Sequence, residues 1–129
     1  MHEESLTRAL LSQVIAVADA NHATRVQQIE VSCGGLSGVE PLLLQEAFQR
    51  IQTEYECCRD AVLSIHDPGL PAQCRDCRTT FQIQDFRFRC PVCSSSALQV
   101  LDGDCLKLLN VSLQLPEEVI SEPISGTAL

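Results

Sequence analysis

Aromatic residues are scarce in this chain, with no tryptophan, one tyrosine and four phenylalanines among 129 residues. A core built from it must be mainly aliphatic, and the 45% of hydrophobic residues is enough to fill one compact domain beside a small module. Long apolar runs are absent, which argues against a membrane span. No N-terminal basic stretch leads into an apolar run and a small-residue cleavage site, so the reading is a cytosolic protein. Basic residues are few: nine Lys and Arg against seventeen Asp and Glu give a formal charge of −8. Binding to phosphate backbones needs a concentrated basic face, so nucleic acid is excluded as the main partner. The sequence also has no Ser/His/Asp set, no phosphate-cradling glycine loop and no carboxylate pair, and the expectation is that it is not an enzyme.

Cysteine is plentiful, with eight in the chain. Four of them, Cys74, Cys77, Cys90 and Cys93, form two C-x2-C pairs with twelve residues between them. Each pair is tight enough to turn two thiolates onto one ion, and four sulfurs make the closed tetrahedral sphere of a structural zinc. The intervening stretch is expected to close as a β-hairpin whose two turns face each other across the metal. The competing reading, disulfides or redox pairs, needs an oxidising compartment or a thioredoxin-like βαβ context, and neither is visible. Between Cys74 and Cys93, Arg75, Arg78, Arg87 and Arg89 outweigh Asp76 and Asp85 by a formal +2. That roughly offsets the −2 of a zinc held by four thiolates, so the arginines neutralise their own metal core rather than offer a nucleic-acid patch. Phe81, Phe86 and Phe88, interleaved with them, are expected to form the module's apolar core. Cys33 and Cys105 read as small buried apolar residues in strands; the adjacent Cys57 and Cys58 carry no ligand spacing.

The chain alternates in type. Leu6, Leu10, Val14 and Val17 share a helical face between Ser5 and about Asn21. Ile29, Val31 and Cys33 alternate with polar residues as a half-buried strand, which Gly34 and Gly35 end. Pro41 opens a second helix in which Leu44, Phe48, Ile51 and Tyr55 repeat through Glu54. Ala61 to His66 reads as a second strand, and Asp67-Pro68-Gly69 with Pro71 breaks into the zinc module. Leu98 to Leu101 suits a short return strand. Leu109, Val111, Leu113 and Leu115 form a long one, with a phase change near Leu108 that predicts a bulge. The fold class is therefore α+β, with two helices on a three-stranded sheet and an inserted four-cysteine, zinc-ribbon-like module. The expected division is 1–68 plus 105–115 for the α+β domain, 69–104 for the zinc domain, and a disordered acidic tail from Pro116 to Leu129.

The start, Met1-His2-Glu3, is the other chemical feature. A histidine in second place offers its imidazole with the Met1 amine and the main-chain nitrogen between them. Such an all-nitrogen planar set suits nickel(II) or copper(II) and not zinc.

Together these features resemble the HypA/HybF family of hydrogenase nickel-incorporation proteins. The resemblance rests on Met1-His2-Glu3 followed by Ser5-Leu6, the Gly35-Leu36-Ser37-Gly38-Val39-Glu40-Pro41 turn, Phe48, and the Cys74/Cys77/Cys90/Cys93 quartet, and runs to about Leu113. It implies a nickel metallochaperone with a three-stranded antiparallel sheet and an inserted zinc domain. It further implies Ni(II) bound by His2 with main-chain nitrogens of Met1 and its neighbours, Glu3 tuning affinity and transfer, and structural Zn(II). The implied partners are a HypB-type GTPase and a nickel-iron hydrogenase large subunit, with service to urease and a weak homodimer left open. Two departures stand out: Ser94 replaces the glycine usual after the last zinc cysteine, and no histidine lies inside the module. His66, just upstream, reads as an ordinary strand residue. The runner-up is a zinc-ribbon interaction or transcription accessory module with no nickel role.

Overall fold

The computed structural model describes residues 2–115 and 119–123, with backbone alone at 2 and 119–123. Helix α1 (His2–Ala20) begins at the chain's second residue, three earlier than its apolar pattern starts. Polar first-turn residues carry no periodicity, so the sequence could not place this boundary. Leu10, Leu11, Val14 and Ala18 are buried along one face, joined by Thr7, whose hydroxyl donates to the Glu3 carbonyl at 2.7 Å.

Strand β1 (Arg25–Cys33) follows, and then the Gly34–Glu40 loop. The Glu40 carboxylate caps helix α2 (Pro41–Ile51) by accepting from the Leu42 N–H, and Pro41 fills a first-turn position that needs no donor. Leu44, Ala47, Phe48 and Ile51 face inward. The helix stops at Ile51 and the expected continuation becomes two 3₁₀ turns, Gln52–Glu54 and Glu56–Cys58. The Gln52 side-chain amide explains the stop: its Nε2 donates to the carbonyls of Cys58, Arg59 and Ala61 at 2.9–3.0 Å, folding the chain back on itself.

Strand β2 (Val62–His66) then pairs with β1 in parallel. This corrects the expected all-antiparallel sheet. Helix α2 carries the chain back along the sheet between the two strands, so β2 restarts at the same end as β1 and must run the same way. Strand β6 (Leu106–Gln114) is antiparallel to β1, and β7 (Val119–Pro123) antiparallel to β6, giving the order β2-β1-β6-β7. Residues 119–123 were expected to be disordered; they instead satisfy the hydrogen-bonding edge that β6 would otherwise leave open. The rest of that tail, 116–118 and 124–129, lies outside the described residues. The predicted bulge is present: Glu30 pairs with Asn110 and Val31 with Leu108, so Leu109 is the extra residue. Leu106 and Leu108 before it and Val111 and Leu113 after it are all buried, which is the phase change seen in the sequence.

The other face of this sheet is polar. Glu30 accepts from Asn110 Nδ2 at 3.1 Å and meets His66 Nε2 at 3.2 Å, so His66 is the strand residue the pattern predicts, paired with a carboxylate.

The second sheet, β4-β3-β5, comprises β3 (Pro71–Cys74), β4 (Thr80–Gln82) and β5 (Leu98–Val100), with β3 central and both pairings antiparallel. The two sheets meet where glycines allow backbones to touch. A Cβ on Gly34 would stand 2.2 Å from Gly103 Cα, and one on Gly103, at φ +86, would stand 2.3 Å from the Gly69 oxygen. The Leu36 N–H donates to the Gly103 carbonyl at 2.9 Å across this joint.

Candidate metal centre

The quartet is assembled by two turns of the same form. In the first, the Cys74 N–H donates to Thr79 O and the Arg78 N–H to Cys74 O, each at 2.9 Å. In the second, the Cys90 N–H donates to Ser95 O and the Ser94 N–H to Cys90 O, again at 2.9 Å. The residue just after each second cysteine is left-handed, Arg78 at φ 65 and Ser94 at φ 62. The turn therefore demands the conformation that glycine supplies freely, and the absence of glycine costs about 1–2 kcal/mol at each. The Asp76 carboxylate, which accepts from the Ser95 hydroxyl, ties one turn to the other.

All four sulfurs lie within 4.8 Å of one another, with Cys74–Cys93 and Cys77–Cys90 at 3.5 Å, and none is in a disulfide. A tetrahedral ion with metal–sulfur bonds of about 2.3 Å has sulfurs about 3.7 Å apart, so this set fits a four-thiolate metal site. Main-chain N–H groups already point at the inner sulfurs, from Cys77 to Cys74 at 3.5 Å and from Val92 to Cys90 at 3.4 Å. Cys74 and Cys90 are buried while Cys77 and Cys93 face outward. The Thr79 hydroxyl, 3.2 Å from Cys77 Sγ, helped by the Thr79 N–H, brings that thiol down to about 6. Cys93 is pulled down by the Ser95 N–H but pushed up more by Cys74, burial and the other thiols, reaching about 12. Four sulfurs this close cannot all be thiolates without a cation between them.

The module's packing differs from the sequence expectation in two respects. The stretch between the pairs holds one strand, β4, whose partner β3 leads into the first cysteine, so the hairpin wraps the first turn rather than spanning the two. The core is Leu70, Ala72 and Ile83 with Phe81, Leu98 and Val100 against it; Phe86 and Phe88 are 60% and 41% exposed. Asp85 and Phe86 occupy a tight turn with φ of 52 and 54, closed by the Arg87 N–H to Gln84 O at 3.0 Å. That places the Phe86 ring over Gly35, where an added Cβ would lie 3.7 Å from its Cζ. Phe81, Arg87, Phe88, Arg89 and Pro91 line a cleft of about 700 Å³ beside Cys90.

The amino-terminal site is described less fully. Met1 and the His2 side chain lie outside the described residues, and Glu3 stands half-buried in the first turn of α1. What holds that turn in place was only partly readable in sequence. Arg8 reaches Glu4 at 3.5 Å, Glu54 at 3.2 Å and the Tyr55 hydroxyl at 3.5 Å, while Arg50 lies 3.8 Å from Glu4. The Glu4–Arg8 pair has helical spacing and could have been found; the partners from the second helix and its 3₁₀ turn could not. Of the other cysteines, Cys33 is buried as expected, but Cys105 is half-buried in the loop before β6 rather than inside a strand; Cys58 is buried and Cys57 half-buried.

An α+β layer of two helices on one face of a mixed sheet, interrupted by a four-cysteine ribbon, defines a small metal-binding protein with the metal held outside the main core. A profile described as "Hydrogenase/urease nickel incorporation, metallochaperone, hypA" matches residues 1–113. The chain belongs to this HypA family. The hydrogenase maturation factor HypA of Shewanella oneidensis is 36% identical over 118 residues, covering 92% of this chain and 99% of the relative, and that of Aquifex aeolicus is 33% identical over 115. The solution structure of the Ni metallochaperone HypA from Helicobacter pylori superposes with a TM-score of 0.68 at 25% identity, covering 88% of this chain and 97% of that one. A second solution structure of a HypA protein gives 0.69 at 28%.

Proposed function

We propose that the chain is a carrier of Ni(II) and not a catalyst. It takes up the ion through the His2 imidazole, the Met1 amine and the main-chain nitrogen between them, with Glu3 adjusting affinity and release. It then passes the ion to the large subunit of a nickel-iron hydrogenase, with a HypB-type GTPase as partner, in the cytoplasm. The observation that carries this reading is that helix α1 (His2–Ala20) begins at His2. The first N–H groups of a helix have no acceptor within it, so the main-chain nitrogens there are available rather than committed to the helical ladder. Arg8 and Arg50 reach Glu4 in that first turn at 3.5 and 3.8 Å. A terminus with few protein ligands binds an ion selectively yet releases it, as delivery requires.

In this reading residues 1–68 and 105–115 form the nickel-binding domain, and 69–104 a zinc domain with Cys74, Cys77, Cys90 and Cys93 as ligands. Zinc there supplies folding free energy, about 10–16 kcal/mol in comparable small peptides. A module whose buried core is Leu70, Ala72 and Ile83 cannot otherwise hold together. Four thiolates leave no position for water, so the ion organises a docking surface instead of activating a substrate.

Calorimetric nickel titration tests the reading on four zinc-loaded proteins: untagged, extended by two residues ahead of Met1, tagged at Leu129, and His2→Ala. The untagged and Leu129-tagged proteins should bind alike. Extension turns the amine into an amide and should weaken binding sharply, as should His2→Ala, with zinc content unchanged in all four. Equal affinity in all four would overturn the amino-terminal site and favour a ribbon module that docks on partners without carrying nickel.

A further inference from the structure

Two cysteines outside the quartet also meet. Cys57 and Cys58 are neighbours in the 3₁₀ turn Glu56–Cys58, and their sulfurs lie 3.7 Å apart. Their surroundings differ. Cys58 has no exposed surface and belongs to the α+β core. Cys57 is half-buried and lines an open cavity of about 310 Å³ with Thr24, Arg25, Glu56, Arg59 and Asp60. No third His, Cys, Asp or Glu joins them among the described residues, so the pair is not part of a larger metal cluster.

We propose that Cys57 and Cys58 form a reversible thiol–disulfide switch, in which Cys57 reacts with a small peptide disulfide of the glutathione type seated in the cavity and Cys58 resolves the adduct. In the first step the Cys57 thiolate bonds to one sulfur of the peptide disulfide. The original S–S bond breaks, and one peptide leaves as a thiolate that takes up the proton Cys57 released. In the second step the Cys58 sulfur bonds to Cys57 Sγ, the bond to the remaining peptide breaks, and that peptide leaves with the proton of Cys58. Two protein thiols lose two electrons and two protons, and one peptide disulfide becomes two thiols.

The division of roles follows from access. Only Cys57 opens on the cavity, where Arg25 and Arg59 can meet the peptide's carboxylates and Glu56 and Asp60 its ammonium, the Arg25–Asp60 pair at 3.2 Å opening to do so. Burial is the main cause that pushes the Cys58 thiol up to about 12, with Cys57 beside it as the second. A neutral buried thiol is a poor first nucleophile, but as a fixed neighbour it needs no encounter to complete the second step.

The product is a switch and not a structural bridge. Adjacent residues hold their Cα atoms about 3.8 Å apart, below the usual minimum of about 4.4 Å for a disulfide, so the ring is strained and readily reduced. Closure also pulls on a defined segment. The Cys58 N–H donates to Tyr55 O at 2.9 Å, its carbonyl is held by Gln52 Nε2, and the Tyr55 hydroxyl is a partner of Arg8 in α1.

The test uses zinc-loaded protein equilibrated with mixtures of oxidised and reduced glutathione, quenched in acid, alkylated and mapped by mass spectrometry after trypsin. Cleavage at Arg50 and Arg59 isolates residues 51–59, which contain Cys57 and Cys58 and no other cysteine. That peptide should lose two hydrogens on oxidation and regain them with excess reduced glutathione. Cys57→Ser should abolish both the adduct and the disulfide there, whereas Cys58→Ser should keep one glutathione on Cys57. Should Cys58→Ser fail to fold, Cys58→Ala serves the same purpose, and the wild-type result alone still decides. The proposal is overturned if wild-type Cys57 retains its glutathione as stably as the Cys58 variant. It is equally overturned if residues 51–59 stay reduced while other cysteines oxidise.

Discussion

Replacing Gly34 with alanine tests the claim that the two sheets are joined backbone to backbone. The new Cβ would meet Gly103 Cα at 2.2 Å, Gly103 O at 2.4 Å and Gly103 C at 2.5 Å. All three are main-chain atoms, so no rotamer change can relieve the clash, and the joint must open by more than an ångström to reach ordinary contact. Overpacking of this kind costs about 1–3 kcal/mol, and the rigid neighbour puts Gly34→Ala at the upper end. Gly103→Ala should cost more, because the clash with Gly69 O adds to a φ of +86, worth about 1–2 kcal/mol for a residue with a Cβ. Two internal controls sit in the same loop. Gly38 has φ +76 and open space, so Gly38→Ala should lose only the conformational part, about 1–2 kcal/mol. Gly35, whose Cβ would make an ordinary 3.7 Å contact with Phe86, should be near neutral. Urea unfolding of the zinc-loaded proteins, followed by circular dichroism, gives the series directly. With domain stabilities of about 5–15 kcal/mol, the two large effects are easily resolved. If Gly34→Ala unfolds within about 0.5 kcal/mol of the parent, the joint is not the close contact described and the module is free to move against the sheet.

X-ray absorption of the purified protein should fit one zinc with four sulfurs at about 2.3 Å, and Cys77→Ala should lose the zinc while retaining amino-terminal nickel binding; a required nitrogen or oxygen ligand would exclude the quartet. Ser94→Gly should stabilise the second cysteine turn by about 1–2 kcal/mol, read as slower zinc release to a chelator, because Ser94 holds φ 62; unchanged or faster release would mean the turn is not strained. At about pH 8 Cys57 should be alkylated well before Cys58, since a thiol raised to about 12 is almost wholly protonated there and also buried. Equal rates at the two sulfurs would contradict the packing around Cys58.

Local pattern decided much of this protein. The C-x2-C pairs each turned two sulfurs onto one side, because each turn is closed by hydrogen bonds within six residues of chain, and their doubled spacing marked the four as one site. The apolar spacing of Leu10, Val14, Leu44 and Phe48 gave two helices, and the phase slip around Leu109 gave the bulge. Pro41 and Glu40 marked the start of α2 for the same local reasons. The direction of β2 was legible too, since the strand–helix–strand order returns the chain to the end where β1 began and makes the pair parallel, against the all-antiparallel sheet that the family resemblance implied. Tertiary structure alone recruited residues 119–123 to the open edge of β6, moved Phe86 out of the module core onto Gly35, and set Arg8 against Glu54 and Tyr55. Each of these depends on which distant main chain lies alongside, and sequence periodicity carries no information about that. The same holds for Gly34 and Gly103: glycine is legible as freedom to turn, whereas their tight approach exists only once the two sheets are brought together.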